Sequence, residues 1–164
     1  MELKPLSREA VPAALEKAMR YRLLNEPGEA ESICHDVLAV VPDNQEALVL
    51  LLLSLTDRFG KNYAVGLTEA KEILPKIRDP YERAYYSGIM SERRAKALLH
   101  QDSHGSRPRA HDLLQEAMRF YEQAESLRPP GNDDALLRWN ACARIIMRNK
   151  LSAPVEERVE LPLE

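Results

Sequence analysis

The chain has 164 residues, a formal charge of −3, two cysteines, and a composition that is 45 % apolar but only 5 % aromatic. Leu and Ala dominate the apolar set, which argues against a β-sandwich and for helices. Two thiols exclude a disulfide framework, and the small negative charge gives no global attraction for nucleic acid.

The charge is unevenly distributed. Residues 1–77 carry 9 basic and 12 acidic side chains, residues 78–150 carry 13 and 10, and residues 151–164 carry 1 and 4. Such an array can stack head to tail or fold its acidic tail over its basic half, and an ordinary mixed surface accounts for the same numbers. Residues 1–8 hold Glu2, Pro5 and Arg8 and have no apolar core, so they do not read as a signal peptide. The longest apolar run, 47–55, is far short of the ~20 residues a membrane span needs, so a cytoplasmic protein without membrane contact is expected.

Apolar residues recur at i, i+3, i+4 and i+7 through most of the chain, and this period predicts seven helices, near 8–25, 28–40, 44–58, 62–74, 80–100, 108–128 and 132–149. Pro27-Gly28, Pro42-Asp43-Asn44, Phe59-Gly60-Lys61-Asn62 and Pro129-Pro130-Gly131 mark the turns. Asn132, followed by Asp133 and Asp134, is expected to cap the last helix. Cys34 and Cys142 fall at helical apolar positions and are expected to be reduced core thiols.

Within these helices a pattern repeats. Ala30, Cys34, Val37 and Pro42 are separated by steps of 4, 3 and 5; Tyr63, Leu67, Ala70 and Pro75 repeat them, as do Ala117, Tyr121, Ala124 and Pro129. Steps of 4 and 3 keep small or medium side chains on one face, where a neighbouring helix can approach, and the proline ends the helix. Leu48, Leu51, Leu52 and Leu55 lie six, nine, ten and thirteen residues after Pro42. Tyr81, Ala84, Tyr85 and Gly88 hold those offsets from Pro75, and Ala135, Arg138, Trp139 and Cys142 hold them from Pro129. Ala14, Lys17, Ala18 and Tyr21 keep the same internal spacing.

Over residues 11–149 this resembles the tetratricopeptide repeat family, whose pattern is W-x2-L-G-x2-Y, then A-x3-F, then P, with a period of 34 residues. The sequence departs from it in lacking an opening tryptophan, and the family's glycine position holds Ala18, Leu52, Tyr85 and Trp139. The resemblance implies an all-α, right-handed superhelical array of antiparallel hairpins: a lead-in at 1–10, repeats over 11–149 with a seventh helix as C-terminal cap, and an acidic tail at 150–164. Pro42 to Pro75 is 33 residues but Pro75 to Pro129 is 54, so a third hairpin over about 80–128 is expected to extend beyond its neighbours.

The resemblance also implies that the first helix of each hairpin lines a concave groove, which would turn Val49, Leu50 and Leu53 of the all-round apolar third helix towards a partner. Covering by neighbouring helices or by the tail is the other way to bury them. Arg93, Arg94, Lys96, Arg107 and Arg109 surround the segment 101–108, either as a solvated face or as a dock for an acidic protein, a phosphate or an RNA backbone. No aromatic is interleaved among them, which disfavours nucleic acid. His100, His104 and His111 match no zinc spacing, so no metal or cofactor is expected. No catalytic motif is present, so no enzyme is expected. The tail alternates Val155, Val159, Leu161 and Leu163 with Glu156, Glu157 and Glu160, a pattern that fits docking on a groove of this molecule or self-association with another.

The expected function is a protein-interaction scaffold or adaptor, alone or as a subunit of a larger assembly, holding a peptide or helix through Val49, Leu50, Leu53, Arg93, Arg94, Arg107 and Arg109. The alternatives are a small-molecule sensor or enzyme using the apolar groove, and an anion- or RNA-binding module using the basic half.

Overall fold

The computed structural model describes residues 1–154, and the side chains in that span except those at 61–65. Seven α-helices follow one another: α1 (Val11–Leu23), α2 (Pro27–Val40), α3 (Gln45–Asp57), α4 (Phe59–Ile73), α5 (Pro80–Gln101), α6 (Ser106–Leu127) and α7 (Asp134–Asn149). No strand occurs among the described residues. The expected docking of the tail at 155–164 lies outside the described residues, as does the side-chain environment of Tyr63.

Local chemistry sets the helix ends. Asn44 accepts from the Ala47 amide at 2.9 Å and starts α3, while Asp79 accepts from the Tyr81 amide at 3.3 Å and places Pro80 in the first turn of α5. Asn132 accepts from the Asp134 amide at 3.0 Å, but it stands one residue further out than expected and α7 begins at Asp134. Helices α1 and α7 end alike, with Asn25 and Lys150 at positive φ. The amides of Glu26 and Leu151 then reach back to the Tyr21 and Ile146 carbonyls, satisfying groups the helix leaves open. That turn folds Leu151 onto the core.

Each helix packs on the next in sequence, and α1 also meets α3 while α3 meets α5. The repeated small positions are where the helices meet: Ala18, Ala30, Cys34, Val37, Ala117, Tyr121 and Ala124 are fully buried. One close approach depends on a glycine. A Cβ on Gly88 would lie 2.5 Å from the Tyr121 ring, so the tyrosine can lie across α5 only because that side chain is absent.

The interior forms two apolar clusters. The first joins α1–α4 and takes Met90 and Ala97 from α5; the second joins α5–α7 and Leu151. Helix α5 therefore contributes to both. Helices α5 and α6 have 22 residues each, against 13 to 16 for the others, so the additional length in the repeat is helical. The far end of this hairpin does not stand clear of the array. Leu98, Ala110 and Leu114 are buried in the same cluster as Leu151, and Arg107 donates to the Asn149 carbonyl at the end of α7. The long hairpin shelters the last helix.

Candidate binding surface

The third helix is covered by its neighbours. Leu50 is 1 % exposed in the first cluster, so it is a core residue and offers nothing to a partner. Val49 is half-buried against the first cluster and Leu53 against the second. The all-round apolar character of α3 follows from its central place, with α1, α2, α4 and α5 around it.

A row of charges crosses the odd-numbered helices instead. Arg22 of α1 donates through Nε to Asp57 of α3 at 2.7 Å, and Arg93 of α5 reaches the other Asp57 oxygen at 2.8 Å. Arg93 also donates to the Leu53 carbonyl at 3.0 Å and to the Thr56 hydroxyl, satisfying acceptors in the last turn of α3. One residue earlier on α5, Glu92 accepts from Arg138 of α7 at 3.2 Å. Glu92 is completely buried, and it also accepts from Tyr121 at 2.6 Å and from Lys96.

Burial alone would raise the Glu92 carboxyl, but Lys96, Tyr121 and Arg138 outweigh it and hold it below the ordinary value. Burial and the facing carboxylate push the Tyr121 phenol up, so it stays a donor. Burial lowers Arg93 from its ordinary value, with Asp57 opposing the shift. The network is thus a set of fixed charges in which each buried group has a partner. Tyr81, Tyr85 and Tyr86 stand beside it, with the Tyr85 ring 5.9 Å from Tyr81, 5.2 Å from Tyr86 and 5.9 Å from Tyr121.

The other expected site residues scatter. Arg94 is half-buried on α5, Arg109 is exposed on α6, and Arg107 is exposed but tied to α7. Arg93 lies in the charge row, so these arginines do not form one patch. His100 lines a cavity of about 360 Å³ with Arg93, Lys96 and Asp57, whereas His111 pairs with Asp112 at 3.4 Å. Among the described residues, the side chains of metal-ligand type that converge are Glu31, His35 and Glu69.

Two features were missed by sequence reasoning. Arg22, Asp57 and Arg93 meet across three helices and Glu92 meets Arg138 across two, and no local spacing signals that. A cleft of about 230 Å³ on α1 is lined by Lys17, Arg20, Tyr21 and Leu24, with Leu23 exposed nearby on the same helix. The sequence places Lys17 and Arg20 on the first helix without reproducing the family's carboxylate clamp; what local reading passes over is the exposed Leu23-Leu24 pair beside them.

Among the described residues the architecture is all-α, with seven helices each packed on the next in sequence. Comparison with known proteins finds no matching family model, no matching curated protein and no matching solved structure. Among the described residues no helix is long and apolar enough to cross a membrane.

Proposed function

We propose that the chain is a binding scaffold of the tetratricopeptide kind, with α1, α3, α5 and α7 as the inner layer of a right-handed array and α7 as its cap. It holds a segment of a partner protein that carries both carboxylates and apolar side chains. The contacts of α1 with α3 and of α3 with α5, and the charge row that crosses all four odd helices, support the layer.

The observation that carries the function is the α1 cleft. Lys17 and Arg20 stand beside Tyr21 and Leu24 at its walls, a pairing of basic heads with apolar surface that an acidic, leucine-bearing segment complements. Leu23 and Leu24 are adjacent and both exposed, so they offer a contiguous apolar surface beside the two basic heads. Val49, Leu53 and Arg93 then serve as the floor of the inner layer rather than as direct contacts.

The test is cross-linking of the full chain in its native host, followed by the Lys17→Glu/Arg20→Glu double variant. Loss of the cross-linked partner with unchanged melting is the expected result. Equal recovery of that partner by the double variant would remove the α1 cleft as the binding site.

A further inference from the structure

On the opposite pair of helices, three side chains of metal-ligand type converge. Glu31 and His35 lie one turn apart on α2, and Glu69 comes from α4. One ligand atom from each lies within 4.8 Å of the others. The His35 Nε2 to Glu69 separation is 3.3 Å. Two ligands about 2.0–2.1 Å from a tetrahedral ion stand roughly that far apart, so this edge is already spaced for coordination. Glu31 stands within 4.8 Å of both.

The surroundings are those of a site open on one side. The His35 side chain is 48 % exposed and the Glu69 side chain 37 %, so solvent or another ligand reaches both. Beside them lies a cleft of about 260 Å³ between α2 and α4, floored by Leu38, Leu48, Leu51 and Ile73. One competitor is present: Arg58, at the start of α4, pairs with one Glu31 oxygen and leaves the other.

We propose that Glu31, His35 and Glu69 bind a divalent first-row transition ion and that the ion ties α2 to α4. One imidazole and two carboxylates suit Zn2+ and its neighbours rather than Ca2+, which takes six to eight oxygens. Three protein ligands leave a coordination position facing the cleft.

Zn2+ alone is the probe, titrated into the chelator-stripped full chain by calorimetry. The expected result is one ion per chain and a higher melting temperature with Zn2+, because the ion binds only the folded arrangement. His35→Gln and Glu69→Gln should each weaken binding at least ten-fold. Arg58→Gln should tighten it several-fold, by freeing the second Glu31 oxygen. Replacing His100, His104 and His111 together by Gln should leave it unchanged. Independently of any variant, Zn2+ should shift the ring-nitrogen resonances of His35 in the native chain.

Absence of binding overturns the site. So does unchanged affinity in His35→Gln and Glu69→Gln, which would place the ion on other side chains. Unchanged affinity in Glu31→Gln removes Glu31 from the ligand set and with it the three-ligand site.

Discussion

In α1–α4 the interior is mainly aliphatic: Leu48, Leu50, Leu51, Leu52 and Leu55 of α3 are buried among Leu15, Val37, Phe59 and Ile73. In α5–α7 the interior holds Tyr121, a carboxylate, and the heads of Arg138 and Lys96 reaching it. The first region gains stability from removing apolar surface from water, about 1.5–3 kcal/mol per large side chain. The second also holds a charge whose partners must all be in place. Two regions of one array therefore answer differently to the same insult, and the difference is a difference in pH.

The largest expected effects fall on one buried side chain in each region. Glu92→Ala leaves the buried Tyr121 hydroxyl without its acceptor, while the solvent-reached heads of Arg138 and Lys96 lose their facing charge, and should cost about 1–3 kcal/mol near neutrality. The folded carboxyl titrates below its ordinary value of 4.5, so its contribution is full above that value and is lost as pH falls through the depressed folded value. Denaturant melts should show the deficit of Glu92→Ala shrinking in acid. Leu52→Ala, in the aliphatic region, should cost about 2–5 kcal/mol with the same deficit at both pH values. A pH-independent Glu92→Ala deficit would erase the contrast between the regions.

A glycine in each region sharpens the comparison at smaller scale. Gly88→Ala forces the Tyr121 ring off α5 and should destabilise by about 1–3 kcal/mol. Gly28, in the first turn of α2, has nothing within 4 Å of an added Cβ. There, alanine should be neutral or stabilise by about 0.4–1 kcal/mol. Thermal unfolding of the two variants side by side checks both signs.

The smallest effect separates the two arginines at the end of the long hairpin. Arg107→Glu loses the donor to the Asn149 carbonyl and should lower stability by about 0.5–1.5 kcal/mol. Arg109→Glu should stay within about 0.5 kcal/mol. Equal melting of the two would show that the Arg107 contact contributes nothing.

The helices were legible because their period is local, but two of the expected turns are not turns: Pro27-Gly28 opens α2 and Phe59-Gly60 opens α4. The repeat spacing pointed to Tyr21, Ala30, Leu51, Leu67, Ala117 and Tyr121 as buried between helices; Ala30, Leu51, Ala117 and Tyr121 are, while Tyr21 and Leu67 are half-buried. The period excess between Pro75 and Pro129 marked the long hairpin, but not that Arg107 would fasten its end to α7. For α3, an unbroken run of leucines fits a groove or a covered helix equally well, and only the neighbours decide. Arg22, Asp57, Arg93 and Arg138 come from four helices, as Glu31, His35 and Glu69 come from two. Side chains brought together by packing leave no periodicity to read.

Cys34 and Cys142 are both free and fully buried, one in each apolar cluster, and burial pushes each thiol up to about 12. A thiol in that condition is inert to alkylating reagents until its surroundings open, because the thiolate is the reacting form. The molecule thus contains two independent reporters of transient opening, placed one on either side of α5. Their relative labelling rates measure whether the two halves breathe separately or whether the helix they share makes them open as one unit.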